Sequence, residues 1–264
     1  MSNTLNIALL QIDLLWESPE QNRQLIISKI NEIEQKVDLI ILPEMFTTGF
    51  TMNAEKVAET MTGKTLSWMV AIATKKQVAI TGSLVIKENN KYYNRLIFVF
   101  PDGNIKHYDK RHTFTLAGEN KVYTVGSKKL IVNYNGWKIC PLICYDLRFP
   151  VWARNTDDYH LLIYVANWPK PRINAWNALL RARAIENMSY CVGVNRTGFD
   201  YLKNEYTGNS AVYDFLGNKM VLDTTKDSST TIVEISIDIL VKAREKLQFL
   251  NDRDPFNLTP VKRN

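Results

Sequence analysis

The chain has 264 residues, with 33 lysines and arginines against 27 acids, a formal net charge of +6 and 45% hydrophobic residues. Those proportions fit a folded protein with a sizeable core and exclude a disordered or low-complexity chain. The basic excess is dispersed, with dense pairs only at Lys128-Lys129 and Lys262-Arg263, which argues against a nucleic-acid partner because that footprint needs clustered charge.

Residues 6–12 form an apolar run of strand length. Ser18-Pro19-Glu20-Gln21 reads as a helix start: Ser18 suits the cap, Pro19 the first helical position, and Gln21 completes a capping box. Ile26, Ile30, Ile33 and Val37 then recur at helical spacing and predict one buried face. Residues 38–42 form a nearly continuous apolar strand, the pattern of burial on both faces, which stops at Pro43. The spacing predicts a second helix over 65–76. Strands over 78–86 and 92–100 follow, joined by the polar turn Glu88-Asn89-Asn90. Pro101-Asp102-Gly103-Asn104 is a turn by composition, and a short strand runs from it to Asp109. Residues 110–127 lose periodicity and predict a long loop of the kind that often carries function. Strands are predicted over 137–143 and 160–166, a strong helix over 173–188, and strands over 190–195, 210–213, 219–222 and 231–237. Helices alternate with strands early and strands dominate late. That order predicts an α/β fold of sheets covered by helices on their outer faces. No repeat or linker interrupts the chain, so one domain is expected.

The three cysteines, Cys140, Cys144 and Cys191, are too few for a disulfide framework. The N-terminus lacks a basic segment followed by an apolar one, and no apolar run reaches the length of a membrane span. A cytoplasmic location with no membrane partner is expected, where thiols stay reduced.

Three polar residues stand where predicted strands end. Glu44 follows Pro43, Lys110 follows Asp109, and Cys144 follows the strand over 137–143. Strand ends are where α/β proteins bind ligands and present catalytic groups. A free thiol ionises near ~8.5, so a nearby Lys110 ammonium is expected to favour the thiolate. Glu44 can accept the thiol proton and later pass it to a leaving amine. Lys110, with the backbone N–H of Tyr145, can steady an oxyanion. Other readings stay open on the residues alone. A cysteine after an apolar strand is often a buried small hydrophobe, and His112, in the loop beside Lys110, is an alternative base. His160 opens a buried strand and reads as structural. Cys140 and Cys144 share a strand face, but no His or Cys pair completes a zinc set, so no metal is expected.

The blocks around these residues are Leu42-Pro43-Glu44-Met45-Phe46, Tyr108-Asp109-Lys110-Arg111-His112 and Ile143-Cys144-Tyr145-Asp146-Leu147-Arg148-Phe149-Pro150. In that order they resemble the three motifs of the nitrilase superfamily of carbon–nitrogen hydrolases. The resemblance runs from Asn6-Ile7-Ala8-Leu9-Leu10-Gln11 to about Phe256. It implies a Glu–Lys–Cys triad and a four-layer α-β-β-α sandwich, with a hydrolase domain over 1–246 and a C-terminal extension over 247–264 that reaches toward a partner subunit. It also implies that Glu119, in Ala117-Gly118-Glu119, orients the amide and hydrogen-bonds Lys110. No cofactor is implied, and a homodimer or higher homo-oligomer is expected. The runs 44–50, Ala166-Asn167-Trp168-Pro169 and 179–187 look like the omega-amidases, which cleave the terminal amide of 2-oxo acids such as 2-oxoglutaramate and 2-oxosuccinamate. Alternatives are another amidase, a carbamoylase or a nitrile hydrolase of the superfamily, or a non-catalytic binding protein on this fold. Phe46, Phe114 and Trp168 flank the motifs and are expected to wall a small pocket. Arg172 is expected to pair with a substrate carboxylate; Arg148 either does the same or fixes Asp146.

Overall fold

The computed structural model describes residues 3–220 and 227–258. Two sheets form its centre. The first has the order β13 (Ser229–Ser236), β1 (Thr4–Gln11), β2 (Leu39–Ile41), β3 (Ala79–Glu88), β4 (Lys91–Val99) and β5 (Ile105–Asp109). Strands β1, β2 and β3 run parallel, and the outer pairs are antiparallel. The second has the order β12 (Ala211–Tyr213), β9 (Tyr190–Asn195), β8 (Leu161–Ala166), β7 (Trp137–Ile143) and β6 (Val132–Tyr134), again with a parallel centre.

Period-two alternation explains the layers. In β1, Leu5, Ile7 and Leu9 join the core shared with the second sheet, whereas Ala8 and Leu10 face the helical side. Helices α1 (Pro19–Asn31) and α3 (Lys64–Lys76), separated in the chain by the short α2 (Ala54–Val57), cover that outer face through Ile26, Ile30, Leu66, Met69 and Ile72. Fully burying each such side chain stabilises the fold by roughly 1.5–3 kcal/mol. Helix α6 (Ile173–Glu186) covers the second sheet through Trp176, Leu180 and Ala184. Gly193 in β9 permits that approach, since a Cβ there would lie 2.4 Å from Leu180 Cδ1 and 2.6 Å from Trp176 Cζ2. The α-β-β-α sandwich and single domain follow.

Several sequence expectations change in detail. Ser18 caps no backbone N–H; its hydroxyl lies 2.6 Å from Gln21 Oε1 instead. Helix α1 stops at Asn31, so Ile33 and Val37 pack against the core from the connection to β2 rather than from the helix face. The Glu88–Lys91 turn is a two-residue hairpin, with Asn89 and Asn90 both at positive φ, as the twist of paired strands favours. The loop after β5 carries the short helix α4 (Glu119–Val122). The strand expected over 219–222 is reduced to an isolated bridge between Tyr213 and Lys219; residues 221–222 lie outside the described residues.

Helix α7 (Ile237–Leu247) follows β13 directly, capped by Ser236 and seated by Leu240. Arg244 fixes it to the second sheet by donating to Met188 O at 2.7 Å and Tyr159 O at 2.6 Å. The described chain ends in a short 3₁₀ turn (Phe249–Asp252) and the residues to 258. Among the described residues no helix is long and apolar enough to cross a membrane.

Candidate active site

Glu44, Lys110 and Cys144 converge where β2, β5 and β7 end. Lys110 Nζ donates to Glu44 Oε1 at 2.9 Å and to both oxygens of Glu119 at 3.0 and 2.9 Å. The Cys144 thiol stands within the field of Glu44, Lys110 and Glu119. All four side chains are buried, Cys144 retaining 8% exposure. Glu119 sits at the start of α4, where it also accepts the Phe114 N–H.

The backbone at the thiol is special. Cys144 has φ 43°, the left-handed region that a non-glycine residue avoids. Asp146 holds this turn in place. Its carboxylate accepts Ile143 N–H at 3.1 Å, His112 N–H at 3.0 Å and the Tyr108 hydroxyl at 2.7 Å. His112 Nδ1 lies 2.8 Å from the same carboxylate, and its ring stacks on Phe149 at 3.8 Å. His112 is therefore part of the scaffold beneath the nucleophile turn and does not line the cavity, which removes the Cys–His alternative. His160 is likewise structural: its Nδ1 accepts Lys138 N–H at 3.1 Å, and burial pushes it down to about 4.

Electrostatics revise the expected state of the thiol. Burial raises the Cys144 pKa well above the usual thiol range, and the Glu44 carboxylate reinforces the rise against an opposing pull from Lys110. That direction opposes the thiolate-favouring pull expected from Lys110 alone. Burial works against the Lys110 cation, but Glu119 and Glu44 overcome it and keep the ammonium charged. Glu119 is held above the usual carboxylate range by burial, partly offset by Lys110.

Two asparagines complete the cluster: Asn94, which nothing in the sequence marks, and Asn167, which lies in the omega-amidase-like run but has no role assigned by it. Asn94 Nδ2 donates to Glu44 Oε1 at 2.7 Å and to Glu119 Oε1 at 3.1 Å. Asn167 donates its backbone N–H to Glu44 Oε2 at 2.9 Å and its side-chain N–H to Glu44 O at 2.6 Å.

A cavity of about 330 Å³ opens over Cys144 and Lys110. Of the residues expected to form the pocket, Phe114, Trp168, Arg148 and Arg172 line it, and Tyr145 joins them. Phe46 does not. Its ring is fully buried in the core under the first sheet, against Trp68 and over Gly82, where a Cβ would lie 2.9 Å from Phe46 Cδ1. Phe50 takes the wall position, 5.3 Å beneath the Lys110 ammonium. Arg148 does not pair with Asp146, whose oxygens are occupied as above. It lies 4.9 Å over the Trp168 ring, and Arg172 lies 5.2 Å over Phe114. Neither guanidinium has an ion-pair partner among the described residues. The far wall is the hairpin β10 (Thr197–Phe199) and β11 (Glu205–Thr207), which the sequence left unpredicted. Its Tyr201 stacks on Trp16 at 6.0 Å.

The family model for carbon–nitrogen hydrolases matches residues 6–245. The chain is 41% identical over 256 residues to the omega-amidase YafV of Yersinia enterocolitica, covering 97% of this chain and 99% of the relative. It is 32% identical over 251 residues to the 2-oxoglutaramate amidase of Bacillus subtilis, covering 93% and 96%. The crystal structure of XC1258 from Xanthomonas campestris, a CN-hydrolase superfamily protein with an arsenic adduct in its active site, superimposes with a TM-score of 0.95 at 39% identity, over 98% of this chain and 100% of that one. A buried Glu–Lys–Cys cluster at the strand ends of a four-layer sandwich, matched over nearly its whole length to these relatives, places the chain in the carbon–nitrogen hydrolase family of the nitrilase superfamily, as an amidohydrolase of C–N bonds other than peptide bonds.

Proposed function

We propose that the chain hydrolyses the terminal amide of a small 2-oxo acid, 2-oxoglutaramate or 2-oxosuccinamate, through a thioester on Cys144. The observation that carries this reading is the pair of unpaired guanidiniums, Arg148 and Arg172, in a small cavity whose floor holds the thiol and the ammonium. Two cations without protein counter-charges suit a substrate with a carboxylate and an adjacent keto oxygen. The names of the full-length relatives point the same way.

The hydrogen bonds support the following steps. Glu44 takes the proton of the Cys144 thiol as sulfur attacks the amide carbon. Lys110 Nζ holds Glu44 with one hydrogen bond and Glu119 with two. Giving up one of the two to Glu119 turns an N–H toward the developing oxyanion, together with the Tyr145 N–H. Glu44 returns its proton to the nitrogen, ammonia leaves, and an acyl thioester remains. Water then loses a proton to Glu44 and attacks the thioester carbon. The sulfur leaves, regains that proton, and the acid is released. Glu119 holds Lys110 and the substrate amide in place. The raised thiol pKa supports this order, because burial disfavours the thiolate and a neighbouring base must take the proton as sulfur attacks.

The test is ammonia release from 2-oxoglutaramate, 2-oxosuccinamate, glutamine, asparagine, an aliphatic amide and an N-carbamoyl amino acid, with Cys144→Ala alongside. Release confined to the two 2-oxo amides and lost in Cys144→Ala supports the reading; Cys144-dependent release from another amide moves the substrate class.

The same reading includes a homodimer or higher oligomer. Its support is the exposed apolar side chains of the helical layer, Val151 in α5 (Pro150–Ala153), Ile185 in α6 and Ile239 in α7. Light scattering on the purified protein tests it, and a monomer at micromolar concentration would contradict it.

A further inference from the structure

We infer that Asn94, oriented by Ser83, is a positioning residue that clamps the two carboxylates of the active site and keeps Glu44 aimed at the thiol as a proton acceptor. The inference deepens the proposed mechanism and rests on it.

The direction of the hydrogen bonds is fixed from one end. Met45 N–H can only donate, and it donates to Ser83 Oγ at 2.9 Å. The Ser83 hydroxyl then sends its own proton to Asn94 Oδ1, 2.8 Å away. With its oxygen committed, Asn94 must present its NH₂ group to Glu44 Oε1 at 2.7 Å and Glu119 Oε1 at 3.1 Å. Ser83 is fully buried and Asn94 is 1% exposed, so no water competes for these bonds. Lys110 Nζ bridges the same two carboxylate oxygens. The pair is thus held by one charged and one neutral bridge.

The neutral bridge has a purpose of its own. During turnover one Lys110 N–H turns from Glu119 toward the oxyanion. Two carboxylates this close repel, and in a buried site the repulsion favours protonating one of them. Asn94 keeps donors on both while Lys110 is engaged. It also leaves Glu44 Oε2, which neither Asn94 nor Lys110 engages and which accepts the Asn167 N–H at 2.9 Å, to take the proton from sulfur. The charged or titratable groups facing this pair are Lys110 after β5, Cys144 after β7 and Tyr123 after α4, the last burial-raised with its hydroxyl on Thr51 O.

The test is the pH profile of kcat/KM for Asn94→Ala, Asn94→Asp and Ser83→Ala, with thermal melts of each. Asn94→Ala should lower kcat/KM at neutral pH about 10- to 100-fold, the loss expected for hydrogen bonds to charged groups. Its acid limb should move to higher pH, since a buried carboxylate that loses a donor loses a bond that favours its ionised form. Asn94→Asp keeps the shape but adds a third carboxylate, and should move the limb further. Ser83→Ala keeps Asn94 and frees its amide to flip, so the same shift should be smaller. If all three variants keep the wild-type acid limb, whatever their melting temperatures, Asn94 is a packing residue and the inference fails. That failure leaves the Cys144 mechanism standing, whereas an active Cys144→Ala would remove the mechanism itself.

Discussion

Replacing Lys110 by methionine separates the two roles of the buried ammonium. Lys110 is 1% exposed and stands between Glu44 and Glu119, both fully buried. Removing one partner from a buried ion pair costs about 3–5 kcal/mol, because the remaining charge keeps its desolvation penalty. Here two carboxylates are left, held by Asn94 and the backbone N–H groups of Phe114 and Asn167. The loss should depend on pH. Glu119 already titrates above the usual carboxylate range because of burial, and Lys110 is the largest influence lowering it. Without that cation it rises further. A carboxyl raised in the folded state costs nothing below its unfolded pKa and destabilises increasingly as pH climbs through its folded one. In the wild type Lys110 itself is raised, so its contribution persists below its unfolded value near ~10.4 and is constant across the neutral range. Urea unfolding of both proteins at about pH 5 and about pH 8 should therefore show the deficit of Lys110→Met shrinking toward acid. The rate of ammonia release should fall at least ~10²–10³-fold, the loss typical of one oxyanion donor. A stability deficit unchanged between the two pH values would refute the reasoning, because it would mean that the carboxylates are not held in tension by this cation.

Three further outcomes follow from the same geometry. Glu44→Gln keeps the side-chain shape but removes the proton acceptor; single-turnover kinetics should show acylation slowed about 10²–10⁴-fold, and a slowing confined to deacylation would contradict the first step. Arg172→Met should raise KM for 2-oxoglutaramate about 10- to 100-fold, with little change in kcat, while leaving an uncharged aliphatic amide unaffected; equal losses on both amides would assign Arg172 to packing on Phe114. Gly193→Ala should destabilise by about 1–3 kcal/mol in urea titration, since its methyl overlaps Leu180 and Trp176; a smaller loss would show that α6 can shift.

The parts of this fold that local sequence foretells are those whose signals are local. Strands β7 and β9 have the bounds their apolar runs suggest, and α6 ends within two residues of its predicted span. Glu44, Lys110 and Cys144 were legible because each follows a strand within its own block. Asn94 was not, since a polar residue inside an apolar strand carries no sign of which buried group it meets; its partners lie 50 and 25 residues away. Phe46 and Phe50 show a similar limit. Met45 adopts φ 44° and its carbonyl accepts both Thr48 N–H at 2.9 Å and Gly49 N–H at 2.8 Å, a tight turn that sends Phe46 into the core and Phe50 to the cavity. Helix α7 was hidden because its apolar residues continue directly from β13, so no break marked the change of period at Ser236.

The central claim is that Cys144 carries the acyl group. Wild-type protein mixed with 2-oxoglutaramate and quenched in acid within a turnover, then weighed intact and digested, tests it most directly. The account predicts a species heavier by the acyl group, located on the peptide bearing Cys144 and missing from Cys144→Ala. Ammonia release at full rate with no such species, or with the adduct on Cys140 or Cys191, would contradict it.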